Sequence, residues 1–396
     1  MNIMRYFSIA SLSSASLFLS MFIVFSTGCG SRSNPDKAIN SLRFDKEVSK
    51  LQAEHIASTL ALYPNGTQLS IAMVDSSGVS YYGAVRNSDT LQTKPNEGRV
   101  FEIGSLSKVF TSAILADLAV RNKLKIDQPV RNSLGISMHE GSNITFKQLS
   151  NHTSGLPRVP GGFIWQSLLH LDNPYKDYDE ARLRDYVQNE MELETEPGKQ
   201  YRYSNIGAGL LGYALVADEG KDYEQLLQEI IAGPFNMSRT TTVRSSVEQY
   251  LVPGLNKRGN RTTNWDLGAL KGAGAILSTA ADLSEFIMAN FNPENESLNL
   301  QRRETFRIDE EKGIAMGWFI LYRDAGEPWY WHNGGTGGYR SSLVIDVDDR
   351  LGVVVLSNIS ASHSHAANID SLSFLLLENL DGSTGTWQET KSVGVN

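Results

Sequence analysis

Gly104-Ser105-Leu106-Ser107-Lys108-Val109-Phe110 opens an apolar run, and Ser105 with Lys108 forms the chain's only Ser-x-x-Lys pair. Positions i and i+3 of a helix lie on one face, so an amine at 108 reaches a hydroxyl at 105 without help from a distant segment. In a first helical turn, unpaired backbone N–H groups and the positive end of the helix dipole also stabilise negative charge on reacting oxygens. The pair reads as a nucleophile beside its own base. Serine needs that base, being a poor nucleophile at its free pKa, and Lys108 serves only when neutral. Bringing a lysine from ~10.4 to near neutrality costs roughly 4 kcal/mol. Burial beside Val109 and Phe110, with a nearby cation, supplies a cost of that size. The bland alternative is an exposed helix lysine next to a serine cap.

A Ser and a Lys three apart arise about once by chance in a chain this long, so the other motifs decide between the two readings. Tyr203-Ser204-Asn205 follows, and His332-Asn333-Gly334-Gly335-Thr336-Gly337-Gly338 lies further on between two β-like runs. The Tyr203 phenol can relay a proton to a leaving group. The Asn205 amide, on the same side if the chain is extended, can hold Lys108 or a substrate carbonyl. His332 to Gly335 closes a predicted strand whose backbone N–H, with that of Ser105, would form an oxyanion hole, and glycines there let a substrate approach the backbone. A phosphate loop is the competing reading of those glycines, but no Lys-Ser/Thr follows them. Tyr63-Pro64-Asn65 repeats the Tyr-x-Asn pattern with a turn-forming Pro and is read as a turn. His363 and His365 have no carboxylate or further His near them in sequence and are read as a surface loop, so no metal is expected. His152 is read as structural.

The chain has 396 residues, 41% hydrophobic and 20% charged, which suits a folded enzyme-sized protein of one large or two intimately packed domains. With a net charge of −8 and no basic stripe, nucleic acid is not an expected partner. Arg5, an apolar stretch from Phe7 to Phe25 and small residues at 26–28 form an export signal. The sole cysteine, Cys29, follows directly and cannot form an internal disulfide. Its setting resembles a bacterial lipoprotein cleavage box, apart from Ser26 where a Leu is usual, and implies lipidation at Cys29 and a membrane-anchored protein of the cell envelope. Plain secretion and an uncleaved anchor are the alternatives.

Residues 1–28 are thus expected as a signal, 29–42 as a tether and 381–396 as a disordered tail. A helix is expected from Leu42 to Leu62 and a hairpin over Gln68–Val74 and Val79–Val85. Strands are expected at Ile314–Tyr322, Trp329–His332, Ser341–Val347 and Gly352–Leu356, then a closing helix at Ile369–Leu377. Between them lie helical patterns at Glu180–Met191, Ile206–Glu219 and Tyr223–Ile231. The implied class is α+β: one sheet built from 43–128 and 263–380, with 129–262 inserted as a helical region.

The three motifs, in this order, resemble those of the penicillin-recognising serine hydrolases, and within them the class C β-lactamase-like group, over about residues 43 to 380. Leu149–Pro157, Glu196-Pro197-Gly198 and Gly272-Ala273-Gly274 with Ser278–Leu283 are similar to family segments. The resemblance implies a β-lactamase/transpeptidase-like fold, an antiparallel sheet flanked by helices plus an all-helical region, with the site between them. It implies acylation of Ser105, Lys108 as base, Tyr203 in proton transfer, Asn205 in substrate binding, Ser105 and Gly335 N–H groups on the oxyanion, and no cofactor. His332-Asn333-Gly334 replaces the family's Lys-Thr-Gly, putting a titratable ring where a permanent cation is usual. No Lys or Arg occurs from Ser357 to Leu380, where class C enzymes place an Arg that meets the substrate carboxylate. An ester, an amide or a blocked peptide is therefore expected ahead of a β-lactam, acted on by a monomer. The rival is a penicillin-binding-like sensor that acylates and stalls.

Overall fold

Ile71 and Met73 enter one buried apolar cluster while Ala72 and Val74, their neighbours on the same strand, enter another. Side chains of a strand alternate between faces, so the strand carrying them, β2 (Gln68–Asp75), is buried on both sides. The same division recurs on β11 (Arg340–Asp346), between Val344 and Leu343 with Ile345, and on β12 (Leu351–Ser357), between Val353 with Val355 and Val354 with Leu356. The computed structural model that shows this describes residues 38–44, 48–140, 143–160, 173–324 and 326–381. Residues 1–28, expected as a signal, Cys29 and the residues after 381, expected as a tail, lie outside them.

Ten strands form one sheet. Besides those three they are β1 (Ile39–Ser41), β3 (Gly78–Asn87), β4 (Thr90–Thr93), β7 (Phe306–Arg307), β8 (Lys312–Ile314), β9 (Phe319–Leu321) and β10 (Trp329–Gly335), in the order β1-β4-β3-β2-β12-β11-β10-β9-β8-β7. All pairs are antiparallel except β1 with β4. The early hairpin β2–β3 meets the late strands through β2 and β12, in register from Val74 opposite Gly352 to Leu69 opposite Ser357. A separate pair, β5 (Phe101–Glu102) and β6 (Leu277–Ser278), joins the segment before Ser105 to the segment after Ala273.

Three boundaries differ from expectation. The first helix, α1, runs from Lys50 to Leu60 and not from Leu42, because Ser49 and Gln52 close a reciprocal capping box that sets its start. Residues 39–41, expected within the tether, pair with Thr90–Gln92 as an edge strand. The single strand expected over Ile314–Tyr322 is two, β8 and β9, because Gly317 takes a left-handed φ of 77° between them.

α1 and the closing helix, α5 (Asn368–Asp381), supply one covering layer, with Phe374 packed on Trp329 and Trp331. On the other face lie α2 (Ser107–Val120) and α4 (Ala280–Asn290), with Phe110 against Phe286. The expected helical patterns appear as Glu180–Asp185 continuing into a π-turn at Tyr186–Glu190, as α3 (Asn205–Glu219), and as Tyr223–Leu227 continuing into a second π-turn at Gln228–Ala232. Their apolar residues join the cluster that also holds α2 and the inner sheet positions. Among the described residues no helix is long and apolar enough to cross a membrane.

Candidate active site

Ser105 sits in a 3₁₀ turn, Gly104–Leu106, that runs straight into α2. That turn is pressed against the end of β10. A Cβ on Gly104, whose φ is 53°, would stand 2.5 Å from Gly335 N, and one on Gly334 would stand 1.9 Å from Ile103 O. Side chains are excluded at both positions, so the peptide of Gly335 lies beside the residue preceding the hydroxyl.

Lys108 is 2% exposed. Its Nζ is 2.9 Å from Ser105 Oγ and donates to Ala273 O at 2.7 Å. Burial, and then the Arg158 guanidinium, hold its pKa well below the ordinary lysine value, the direction a base requires. The cation anticipated from sequence is therefore Arg158, which lies 5.0 Å over the Tyr203 ring.

Tyr203 precedes α3, whose cap is Ser204, the side chain of which accepts the Gly207 N–H at 2.8 Å. Lys108 Nζ is 5.0 Å from the centre of the Tyr203 ring. Burial pushes the phenol up to about 12, against the opposing pull of its hydrogen bond with Ser105 and of Arg158. Ser105 and Lys108, from one continuous turn and helix, and Tyr203, from the segment before α3, are thus brought together from two separate segments.

The remaining predicted residues divide. Asn205 does not hold Lys108: its Nδ2 donates to Tyr175 OH at 3.2 Å, and the carbonyl of Ala273 takes the place at the amine. Asn333 is not directed at a substrate. Alternation along β10 turns it to the face of Trp329 and Trp331, under α5, where its Nδ2 donates to Asp370 at 2.9 Å. His332 is buried on the opposite face, and its Nδ1 is 2.6 Å from Asn333 O. A carbonyl only accepts, so Nδ1 carries the hydrogen and Nε2 the lone pair. Burial, then the Lys108 charge, push its pKa down to about 3, so the ring expected to titrate is fixed neutral.

Arg340, whose placement was open from sequence, pairs with Asp370 of α5 through Nη2, while its Nη1 would stand 3.6 Å from a Cβ on Gly335. One edge of the guanidinium is thereby committed and the other lies at the end of β10. Four groups were not singled out as site groups by the motifs: Arg158, Tyr175, the Ala273 carbonyl and Asp370. Two of them lay in or beside segments already noted in the sequence, Arg158 directly after Leu149–Pro157 and Ala273 within Gly272-Ala273-Gly274. Among the described residues no group of three or more His, Cys, Asp or Glu is arranged to hold a metal ion.

A sheet of this order, covered on both faces and meeting a helical region where a partly exposed Ser105 is bonded to a buried Lys108, defines a hydrolase-type fold of the β-lactamase and penicillin-binding class. The octameric penicillin-binding protein homologue from Pyrococcus abyssi superposes with a TM-score of 0.70 at 21% identity, over 84% of this chain and 77% of that one. The β-lactamase/D-alanine carboxypeptidase from Yersinia pestis does so at 0.67 and 21%, over 83% and 96%. The chain belongs to the Beta-lactamase family, whose model matches residues 64–377. It is 26% identical to the D-alanyl-D-alanine-carboxypeptidase/endopeptidase AmpH of Escherichia coli, over 80% of this chain and 85% of the relative. It is 24% identical to penicillin-binding protein 4* of Bacillus subtilis, over 74% and 68%.

Proposed function

We propose that this chain is a serine hydrolase that cleaves an amide or ester bond through an acyl-enzyme on Ser105. The observation that carries the reading is a buried lysine amine 2.9 Å from the Ser105 hydroxyl. Burial in that setting disfavours the ammonium form, and the neutral amine can take the hydroxyl proton as Oγ bonds to the substrate carbonyl carbon. The carbonyl electron pair moves onto oxygen, where the N–H groups of Ser105 and Gly335 serve as donors. When that pair returns, the bond to the leaving group breaks. The leaving amine or alkoxide takes a proton from Tyr203, which regains one from the lysine ammonium. Water then attacks the ester on Ser105, its proton passes to the same base, and the Ser105 oxygen leaves protonated. A phenol held near 12 keeps its proton at neutral pH and is suited to give it up to a strongly basic leaving group.

On the substrate side, Arg340 shares its charge with Asp370, which weakens it as an anchor for a terminal carboxylate. The E. coli relative is named for carboxypeptidase and endopeptidase action, and endopeptidase cleavage needs no terminal carboxylate. A cell-wall-type peptide cut internally, or an ester of similar shape, fits this site better than a penicillin.

Ser105→Ala should lower turnover of a p-nitrophenyl ester by about a thousandfold or more. Intact-mass spectrometry should show a fluorophosphonate adduct on the wild-type protein and none on this variant. Wild-type turnover by the Ser105→Ala protein would overturn the mechanism, and a lasting penicillin adduct without ester turnover would replace it with the acylate-and-stall reading. Export and lipidation at Cys29, placing the protein on a bacterial membrane, belong to the same proposal. Cys29→Ser should move the full-length chain into the soluble fraction, and its retention on membranes would refute the anchor.

A further inference from the structure

His152 grips the chain on both sides of Tyr203. Its carbonyl accepts the Arg202 N–H at 2.7 Å, and its Nδ1 accepts the Ser204 N–H at 3.2 Å. Its ring lies against the Tyr203 ring, with centroids 4.5 Å apart and planes inclined by 37°. The edge of Tyr201 closes on the same imidazole at 6.0 Å. Three contacts from one residue therefore bear on one phenol.

The backbone of His152 is held at φ 59°. That left-handed conformation costs about 1 kcal/mol or more in a non-glycine residue and persists only where the surroundings over-determine it. Asn151 helps to do so, its Oδ1 accepting the Thr153 hydroxyl at 2.7 Å and the Thr153 N–H at 3.2 Å. A relaxed backbone would not point this ring at Tyr203.

The Ser204 bond also settles where the imidazole proton lies. A ring nitrogen that accepts an N–H carries no hydrogen, so His152 is the Nε2–H tautomer, opposite to His332. Burial, then the Lys108, His332 and Arg158 charges, hold its pKa well below the ordinary histidine value. The Ser204 N–H bond and the buried setting both favour Nδ1 as an acceptor. Nε2 is buried without a hydrogen-bond partner among the described residues, so the ring is attached to its surroundings through Nδ1 and through its face.

We propose that His152 is a positioning residue, its Nδ1 and carbonyl clamping the peptides that flank Tyr203 so that the phenol meets Ser105. This rests on the acyl-enzyme reading with Tyr203 as proton carrier and adds the residue that aims it. An Asn side chain can place its Oδ1 near the site of Nδ1, whereas Gln places its amide near the site of Nε2. His152→Asn should keep turnover of an alkyl ester within several-fold of wild type. His152→Gln should lower kcat roughly 10- to 100-fold with KM little changed, as expected for a misplaced catalytic group. The loss should be larger for the alkyl ester, whose alkoxide must be protonated, than for a p-nitrophenyl ester, whose phenolate leaves unaided. Adding Tyr203→Phe to His152→Gln should cost little more, because the phenol is already out of place.

Equal activity of the Asn and Gln variants, or losses that multiply in the double variant, would overturn the clamp. If His152→Gln does not fold, His152→Ala, which also removes the Nδ1 acceptor, takes its place: its loss must be larger on the alkyl ester, and an equal loss on both esters refutes the proposal. Should Ser105→Ala and Tyr203→Phe prove fully active, the acyl-enzyme reading fails. Should they be inactive while His152→Gln matches wild type, only the clamp fails.

Discussion

On the proposed acyl-enzyme mechanism the lysine amine is the group whose protonation state decides whether the site works, and two different influences set it. Burial is the larger and comes with the fold; the Arg158 charge is the second and resides on a single exposed side chain. Removing the second while leaving the first is therefore possible. With the guanidinium gone, the ammonium form of Lys108 is less disfavoured and its pKa moves up toward the ordinary lysine value. A base acts only when neutral, so the acid limb of kcat/KM must move to higher pH. Arg158→Gln should show that displacement in a pH–rate profile, with a several-fold loss below the limb and little change above it. Because Arg158 is exposed, salt screens it, and raising the ionic strength of the wild-type assay should move the limb in the same direction. An unmoved limb would assign the depression of Lys108 to burial alone.

Elements whose signal is local were legible in the sequence. The alternating strands and the apolar helix after Ser105 lie where their periods put them, and the Ser105–Lys108 contact follows from helical spacing. Boundaries were harder. Ser49 and Gln52 cap α1 through side-chain bonds that the surrounding apolar spacing conceals, and Gly317 splits one apolar run into two strands. The least legible parts are contacts made by backbone or across elements. Ala273 O reaches Lys108 because α3 and the Lys271–Gly274 turn touch through glycines: a Cβ on Gly212 would stand 2.9 Å from the Cα of Gly272. No spacing rule announces a carbonyl as a ligand. Asn333 was misplaced for a related reason. Motif reading takes successive residues as facing one site, whereas a strand sends them to opposite sides, and only the pairing of β10 under α5 shows which side is which.

Sheet and helical region share a buried cluster that runs from Val74 and Leu356 on the strands to Leu210 and Leu226 on the helices. Such a core makes neighbouring elements lose stability together, so a local protonation is felt by the whole fold. His332 offers the test. In the unfolded chain it takes up a proton near pH 6.5, and in the folded protein only near pH 3. Between those values the unfolded state binds the extra proton, so stability is fully present above pH 6.5 and is lost as pH falls toward 3. From pH 7.5 to 4.5 the cost is about 3 kcal/mol for this one ring. Buried Glu102, Asp282 and Asp370 act in the opposite sense, since burial raises their pKa and acid relieves the cost of their charge. The total pH dependence mixes both signs, and the informative quantity is a difference. Urea unfolding of wild type and His332→Gln at the two pH values should show the wild type losing about 3 kcal/mol more than the variant, whatever the carboxylates contribute to both. Equal losses would mean that the ring already takes up its proton in the folded protein, and that His332 is the titrating group its position in the motif suggested.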